Sequence, residues 1–305
     1  MRVINPATGE NIEEISISSR EEVDAAVERA RDGFREWQGF AGLDRAEVLH
    51  EISARMREHA DELAEVMTLE GGKPFIENRD EVTWTAACFD YYGEIARDSV
   101  GYLPAPIEPQ QLALVVREPV GTVACIVPWN YPLLLAAWKV APALAAGNAV
   151  LLKPSEETPL ATRRLAELMH ELPDGLLQVV YGAGEVGSML VGHPGVDMVA
   201  FTGSQDTGRK VGIALPGTSS CRRHNPVEAS VGEHICGSGQ QPVPARRVQR
   251  AIVRGEEVIM AHHDTQVRAG DHVIVFVTDD HGFADLGLHG VVQDIKTPHL
   301  DALAR

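Results

Sequence analysis

The sequence predicts an α/β protein: N-terminal helices, an incomplete doubly wound parallel sheet, and a small β-rich module at the end. Between residues 121 and 212, short β-rich runs alternate with helical patterns, and the connections have the length of parallel strand–helix–strand units. Three longer amphipathic patterns precede this region. From residue 213 the composition changes, which predicts a domain boundary there.

Length and charge support this division. The 305 residues are enough for two domains, and 44% apolar with 23% charged residues excludes a disordered or fibrous chain. Residues 1–212 hold 33 acidic and 18 basic side chains (net −15), and residues 213–305 hold 11 and 9 (net −2). The total of −17 argues against nucleic-acid binding. We predict domains at 1–212 and 243–305, joined by an irregular linker at 213–242.

The N-terminal helices have clear end signals. Ser19 and Glu22 form a capping-box pattern that opens a helix to about Trp37. A second helix is predicted from about Asp44 to Glu70, where Gly71 and Gly72 stop it. The third helix and a following strand are predicted at about 75–96 and 112–116.

The alternating region predicts four strands and three helices. The strands are expected at 123–127, 149–152, 177–181 and 198–201, with helices at 133–144, 159–171 and 187–191. The most apolar window, 133–152, is interrupted by Lys139, Pro142 and Gly147, so we interpret it as a buried helix, a turn and a strand.

No transport signal or disulfide framework is visible in the sequence. The N-terminus lacks a basic segment followed by an apolar one, as a secretory signal would require. The four cysteines (Cys88, Cys125, Cys221 and Cys236) are too scattered for a disulfide scaffold or a CxxC metal site. We therefore expect a soluble, cytoplasmic protein without a membrane span.

Polar residues follow the first two strands of the series. The amide of Asn130 can donate a hydrogen bond to an oxyanion, although Asn is also a common turn residue. Lys153 and Glu156 can hold the hydroxyls of a nucleotide ribose, and the carboxylate favours NAD over NADP. The alternative for this segment is an ordinary helix start capped by Ser155.

The next two strands lead into glycine-rich segments. Gly182, Gly184 and Gly187 form a GxGxxG pattern after a strand and before a helix, which indicates either a dinucleotide site or a tight turn. The fourth strand leads into Thr202, Gly203 and the start of a helix, a position suited to a pyrophosphate.

In this order and spacing, the four segments resemble the aldehyde dehydrogenase superfamily, most closely its betaine-aldehyde branch. The likeness covers about two-thirds of the chain, with further matches at Ile4–Gly9, Glu70–Pro74, Glu118–Gly121, Trp138–Lys139 and Pro142–Asn148, and it ends near Val211. It implies a Rossmann-like fold and NAD-dependent oxidation of an aldehyde to a carboxylic acid.

The resemblance also implies roles for individual residues. Asn130 matches the asparagine that stabilises the oxyanion of the thiohemiacetal, and Lys139 matches a lysine with a supporting catalytic role. The implied cofactor-binding residues are Pro128, Trp129, Lys153, Ser155, Glu156, Gly187, Thr202, Gly203 and Ser204.

The family's catalytic cysteine and glutamate motifs do not occur in the sequence. Glu228 and Glu233 lie near the expected distance, but their surroundings match no Glu-Leu-Gly-Gly-Lys segment. Gly239-Gln240 occurs, but Pro242 stands where the nucleophile is expected, and Cys236 precedes that pair. We therefore expect a truncated enzyme with weak or no activity.

The last part of the chain is predicted to contain strands at 251–253, 257–260 and 273–277, and it has a likeness of its own. Residues 246–279 resemble part of the C-terminal regulatory module of Trk-type potassium-uptake proteins, a module used for regulation and assembly. His262, His263 and His272 fit its hairpin pattern, so we predict no metal site.

Three hypotheses follow: a truncated, fused aldehyde dehydrogenase, an NAD-binding regulator linked to potassium uptake, and a non-functional junction product. The partners expected are an aldehyde, a further copy of the chain, or a potassium-uptake component.

Overall fold

The structure is a computed structural model that describes residues 1–98, 101, 117–214, 235–236 and 272–277. The predicted strands at 112–116, 251–253 and 257–260 and nearly all of the predicted linker lie outside the described residues, as do Cys221, Pro242 and His262. The chain divides into two compact units, Met1–Met198 and Val199–Arg305. The predicted domain boundaries at 212 and 242 stay predictions.

The first unit begins with a β-hairpin and a layer of four helices. Ser19 Oγ accepts the Glu22 N–H at 3.2 Å and the Glu22 carboxylate accepts the Ser19 N–H at 2.7 Å, so the predicted capping box is confirmed. Gly72, with a φ of +77°, ends the helix Ala60–Gly71, and the sequence predicted a helix end at Gly71 and Gly72. The elements are β1 (Arg2–Ile4), β2 (Asn11–Glu14), α1 (Arg20–Trp37), α2 (Gly42–Glu58), α3 (Ala60–Gly71) and α4 (Phe75–Arg97).

Two details of this layer differ from the prediction. The single helix expected from Asp44 to Glu70 is two helices, because His59 leaves helical geometry (φ −101°, ψ 20°) and ends α2 where α3 begins. The β1–β2 hairpin was not predicted, since its strands have three and four residues and no alternating apolar pattern. A hydrogen bond of 2.7 Å joins the His59 ring to Glu62 at the break.

A parallel sheet follows, as the sequence predicts. Its strands lie in the order β5, β4, β3, and the neighbours Thr122 and Ala149 begin their strands side by side. The elements are β3 (Thr122–Ile126), α5 (Pro132–Ala145), β4 (Ala149–Lys153), α6 (Pro159–Glu167), β5 (Leu177–Val179) and α7 (Gly184–Val191). The apolar window at 133–152 is therefore a buried helix, a turn and a strand.

The core lies between the helices and this sheet. Trp37 of α1 is fully buried and donates its indole N–H to the carbonyl of Leu144 at 2.9 Å. At Gly33 of α1 a Cβ atom would lie 2.5 Å from the backbone nitrogen of Leu176, so only glycine permits this approach of helix to sheet. The helical layer and the sheet are thus packed into one unit.

The second unit begins at Val199. It contains nearly all of β6 (Met198–Thr202), α8 (Gln205–Ala214), and the antiparallel pair β7 (Ile235–Cys236) and β8 (His272–Val277). The strands predicted at 198–201 and 273–277 are both present. Within the part of the chain that the structure describes, no helix is long and apolar enough to cross a bilayer.

Candidate cofactor and oxyanion site

The segments that follow β3 and β4 lie side by side at the carboxyl end of the sheet. Ile126 pairs with Lys153 in the register, and the N–H of Val127 donates to the Lys153 carbonyl at 3.1 Å. The Thr158 hydroxyl donates to the Trp129 carbonyl at 3.2 Å, which joins the two segments further along. Parallel sheets bind their ligands at this end.

Lys153 and Glu156 form an ion pair there. The Lys153 ammonium lies 3.6 Å from the Glu156 carboxylate and donates to the Pro154 carbonyl at 3.0 Å. Burial lowers the pKa of Lys153, while Glu156 opposes that shift. Lys153 is nearly buried and Glu156 is half-exposed, so the ammonium is fixed while the carboxylate reaches solvent. Ser155 accepts the Glu157 N–H at 3.3 Å instead of capping α6.

The glycine-rich segment lies against Lys153. Gly182 has a φ of +147° and follows β5, and α7 begins at Gly184, so the predicted strand–glycine–helix context of GxGxxG is present. A Cβ at Gly184 would meet no atom within 4 Å, and at Gly187 its nearest contact would be the Lys153 side chain at 3.9 Å. The first turn of α7 therefore leaves open space beside the Lys153–Glu156 pair.

Asn130 and Lys139 lie on the β3 side of the site. Asn130 is the second residue before α5 and is partly buried, and the exposed Trp129 precedes it. Lys139 lies within α5, is 5% exposed, and donates to the Leu135 carbonyl at 3.2 Å. Burial raises the pKa of Cys125 to about 12, with Lys139 opposing, so this thiol is not a nucleophile.

Glu81 of α4 caps helix α5 from a distance. Tyr131 at the N-cap position has no capping side chain, and Glu81 Oε1 instead accepts the N–H groups of Leu133 and Leu134 at 3.0 and 3.2 Å. Its other oxygen accepts from Lys73 at 2.5 Å, and the Lys73 ammonium lies 3.8 Å from the centre of the Tyr131 ring. Burial raises the pKa of Glu81, against the effect of Lys73.

Glu70, the second-last residue of α3, caps helix α6 in the same way. Its carboxylate accepts the N–H groups of Leu160 and Ala161 at 2.7 and 2.9 Å, and the residue is 3% exposed. Burial raises the pKa of Glu70 to about 7, opposed by these two hydrogen bonds and by Arg163. Two carboxylates of the helical layer therefore hold the starts of the helices that follow β3 and β4.

The fourth predicted segment belongs to the second unit. Thr202 ends β6 and is buried, Gly203 follows, and the Ser204 hydroxyl accepts the Thr207 N–H at 3.3 Å at the start of α8. Ser204 thus caps α8, and its hydroxyl lies 3.0 Å from that of Thr207. The arrangement is a helix N-terminus with two hydroxyl groups.

The family follows from comparison with known proteins. The family model described as "Aldehyde dehydrogenase family" matches residues 1–224, which is well over half of the chain. This chain belongs to the aldehyde dehydrogenase family. The predicted membership of that family is confirmed, whereas the likeness of residues 246–279 to potassium-uptake proteins stays a prediction.

Solved aldehyde dehydrogenase structures resemble the first two-thirds of this chain. PnpE from Pseudomonas sp. WBC-3, in complex with nicotinamide adenine dinucleotide, is 41% identical with a TM-score of 0.68 and covers 70% of this chain. A variant betaine aldehyde dehydrogenase from Staphylococcus aureus, in complex with NAD⁺, is 37% identical with a TM-score of 0.68 over 70% of this chain. An E. coli NADP dependent enzyme is 34% identical with a TM-score of 0.69, again over 70%. This chain spans 45% of each of the three.

The structure brings together part of the predicted site. Lys153, Glu156 and Gly187 are adjacent, and the segment that carries Trp129 is tied to them through Thr158. Their roles stay predictions, as do those of Pro128, Asn130, Lys139, Ser155 and the 202–204 segment. No sequence pattern indicates the supporting roles of Glu70, Lys73 and Glu81, because their partners lie far along the chain or carry no motif. A signal did exist at α5, whose Pro132 start follows a residue that cannot cap a helix.

Proposed function

We propose that this aldehyde dehydrogenase family chain binds NAD at the carboxyl ends of β3 and β4 and that, with the residues it has, it oxidises aldehydes weakly or not at all. The observation that carries the proposal is the Lys153–Glu156 pair, 3.6 Å apart, with the open first turn of α7 beside it. A ribose there can donate to Glu156 and accept from Lys153.

The residues present fit a dinucleotide. A Cβ at Gly184 would meet no atom within 4 Å, and one at Gly187 would meet only the Lys153 side chain, at 3.9 Å, so the start of α7 has room for a ligand. The α7 N-terminus and the Ser204 cap of α8 are each suited to anionic oxygen. NAD, when bound, is the acceptor of a hydride from the substrate.

We propose NAD rather than NADP as the cofactor. A carboxylate at position 156 accepts hydrogen bonds from free ribose hydroxyls and repels a 2′-phosphate. The solved relatives include complexes with NAD and also an enzyme described as NADP dependent, so family membership alone does not decide between the two. The charge at this position is the argument for NAD.

The chemistry proposed for the other residues follows from their positions. Asn130, just before α5, would donate its amide to the carbonyl oxygen of a bound aldehyde and to the negative charge that develops there if a nucleophile adds, and Lys139 would support it from within α5. The two cysteines whose side chains the structure describes, Cys88 and Cys125, have pKa values raised by burial to about 12 and are unsuited to attack on an aldehyde. The sequence also lacks the family's Cys and Glu motifs, and this argues for weak or no turnover. The substrate type proposed, a betaine-aldehyde-type compound, rests on the sequence resemblance.

A calorimetric titration of the purified chain with NAD tests the proposal. Replacement of Lys153 and Glu156 by Ala removes one or two charge-assisted hydrogen bonds, each worth about 1.5–3 kcal/mol, so we expect at least about tenfold weaker binding. A Glu10→Ala variant, changed at an exposed residue outside the site, should bind as the wild type does. Absence of wild-type binding would refute the proposal, and NADP binding as tight as NAD would refute the cofactor choice.

An alternative proposal uses the end of the chain. Here the NAD-binding part would be a regulatory unit that signals cofactor occupancy to a potassium-uptake partner through residues 246–279. Within residues 246–279 the structure describes β8, where the sequence predicts a strand. This strand supports the resemblance to potassium-uptake proteins only at the level of local structure. Co-purification with a potassium-uptake component in an NAD-dependent manner is the expected result, and its absence in both conditions would contradict this alternative.

A further inference from the structure

Helix α6 begins without a capping side chain of its own. Its N-cap residue, Thr158, has a hydroxyl that can cap a helix, but that hydroxyl donates to the Trp129 carbonyl at 3.2 Å. Pro159 at the first helical position has no N–H, so Leu160 and Ala161 carry the first backbone donors. These donors lie in a buried region and need an acceptor.

Glu70 supplies that acceptor from another element. Its two oxygens accept one N–H each, at 2.7 and 2.9 Å, across 90 and 91 residues of chain. A carboxylate at a helix N-terminus also interacts favourably with the helix dipole. The methyl group of Thr158 lies 3.5 Å from the position that a Cβ at Gly71 would take, so the last residue of the 154–158 connection lies near the end of α3.

We propose that Glu70 is a positioning residue for the cofactor segment: it fixes the start of α6 and thereby the 154–158 connection that holds Glu156 3.6 Å from Lys153. This inference rests on the proposed NAD binding and adds the group that orders the ribose-binding pair. Glu70 does not touch the ribose site itself. The connection is anchored at both ends, by β4 at Lys153 and by the capped helix at Pro159, and loss of the cap releases one end.

The charged surroundings of Glu70 are few. Arg163 of α6 faces it, and Arg163 is itself held by Glu13 of β2 at 2.7 Å. Burial raises the pKa of Glu70 to about 7, so its carboxylate is formed within the neutral range. Only the carboxylate offers two full acceptors, since protonation turns one oxygen into a donor. The segment should therefore be better ordered above pH 7 than below it.

The test compares Glu70→Gln with wild type by calorimetric titration with NAD between pH 6 and pH 8. We expect the variant to bind about fivefold more weakly at pH 8, the equivalent of one net hydrogen bond. Wild-type affinity should rise across this range and the variant's should not. Ser19→Ala, which removes the cap of α1, is the matched control for a stability loss alone and should leave the pH profile of NAD affinity unchanged. Equal NAD affinity of wild type and Glu70→Gln at pH 8 would overturn the proposal.

Hydrogen exchange separates this proposal from the proposed function. In Glu70→Gln, peptides covering residues 154–161 should exchange faster than in wild type, and in Ser19→Ala they should not. If the wild type binds no NAD, the proposed function fails, and the exchange result alone decides whether Glu70 positions the segment. If Glu70→Gln does not fold, the wild type alone decides. The exchange rate of its 154–161 peptides, corrected for intrinsic rates, must then fall between pH 6 and pH 8. A constant corrected rate refutes the inference.

Discussion

At the scale of single residues, the buried carboxylates of α3 and α4 have the largest energetic weight. Glu81 accepts from two backbone N–H groups and from Lys73, so its removal leaves three donors without this acceptor in a largely buried region. Breaking a buried ion pair from one side costs more than the pair itself contributes, because the remaining charge stays desolvated.

We therefore predict that Glu81→Ala lowers the free energy of unfolding by about 3–5 kcal/mol. Urea denaturation followed by circular dichroism measures this. The control is Ser19→Ala, which removes an exposed cap and should cost about 1 kcal/mol. A loss for Glu81→Ala no larger than that of the control would contradict the energetic role assigned to the Glu81 cluster.

The raised pKa of Glu70 predicts a pH dependence of stability. In the native state Glu70 holds its proton up to about pH 7, whereas in the unfolded chain it loses the proton near its ordinary value of 4.5. The unfolded state is therefore favoured progressively as pH rises from about 4.5 to about 7, and the free energy of unfolding falls by up to about 3 kcal/mol over that window.

Denaturation of wild type and Glu70→Gln at several pH values checks this. The unfolding free energy of wild type minus that of Glu70→Gln should fall steadily between pH 4.5 and pH 7 and stay constant above it. A difference that does not change with pH would show that the native pKa of Glu70 is ordinary. The expected trend in stability is opposite to the trend expected for NAD affinity, so the two effects can be told apart.

At this scale the sequence predicted local contacts and missed distant ones. Ser19 and Glu22 are three residues apart, so their capping box is visible as a pattern, and it is present. Glu70 and Glu81 cap helices from 52 to 91 residues away. Glu70 lies in the Glu70–Pro74 segment that resembles the family, but no local pattern at either glutamate indicates a helix cap.

At the scale of elements, the contact of α1 with the sheet depends on glycine. A Cβ at Gly33 would lie 2.5 Å from the backbone of Leu176, which cannot move as a flexible side chain can. We predict that Gly33→Ala is destabilising by about 1–3 kcal/mol from overpacking, in spite of alanine's better helix propensity.

Thermal unfolding measures the effect of Gly33→Ala. Gly184→Ala is the matched control, since a Cβ there meets no atom within 4 Å, and its stability should equal or slightly exceed that of wild type. Under the proposed function the same Gly184→Ala change should weaken NAD binding by filling the open first turn of α7. Equal melting temperatures for both variants would contradict the close packing at Gly33.

The longer elements were predictable in order and type, whereas the break between α2 and α3 and the β1–β2 hairpin were not. Long periodic segments with end signals, such as α1 and α4, agree with their predictions to within a few residues. No glycine or proline marks the break at His59, so the helical periodicity of the sequence predicted one continuous helix across it. The β1–β2 hairpin is stabilised by tertiary contacts of Val3 and Ile15 with Leu160, and short polar strands carry little pattern of their own.

At the scale of the whole molecule, the net charge of −17 affects ligand association. NAD carries negative phosphates, so the overall field slows its approach at low ionic strength. We predict that the association rate of NAD rises with salt as the field is screened within about 10 Å at 0.1 M. Stopped-flow fluorescence measures this, with uncharged adenosine as the control. A rate that falls with salt would show that the local positive charge of Lys153 dominates instead.

The remote caps bear on where related proteins can be cut and rejoined. The carboxylates lie before residue 98, and the helices that they cap begin after residue 131. A recombination point between residues 98 and 117 would combine these helices with the helical layer of another protein. That layer need not carry carboxylates at the positions of Glu70 and Glu81. A crossover beyond Met198 keeps all four partners together. The parallel sheet of this chain is therefore not a module that can be transplanted alone: the first hundred residues must be inherited with it.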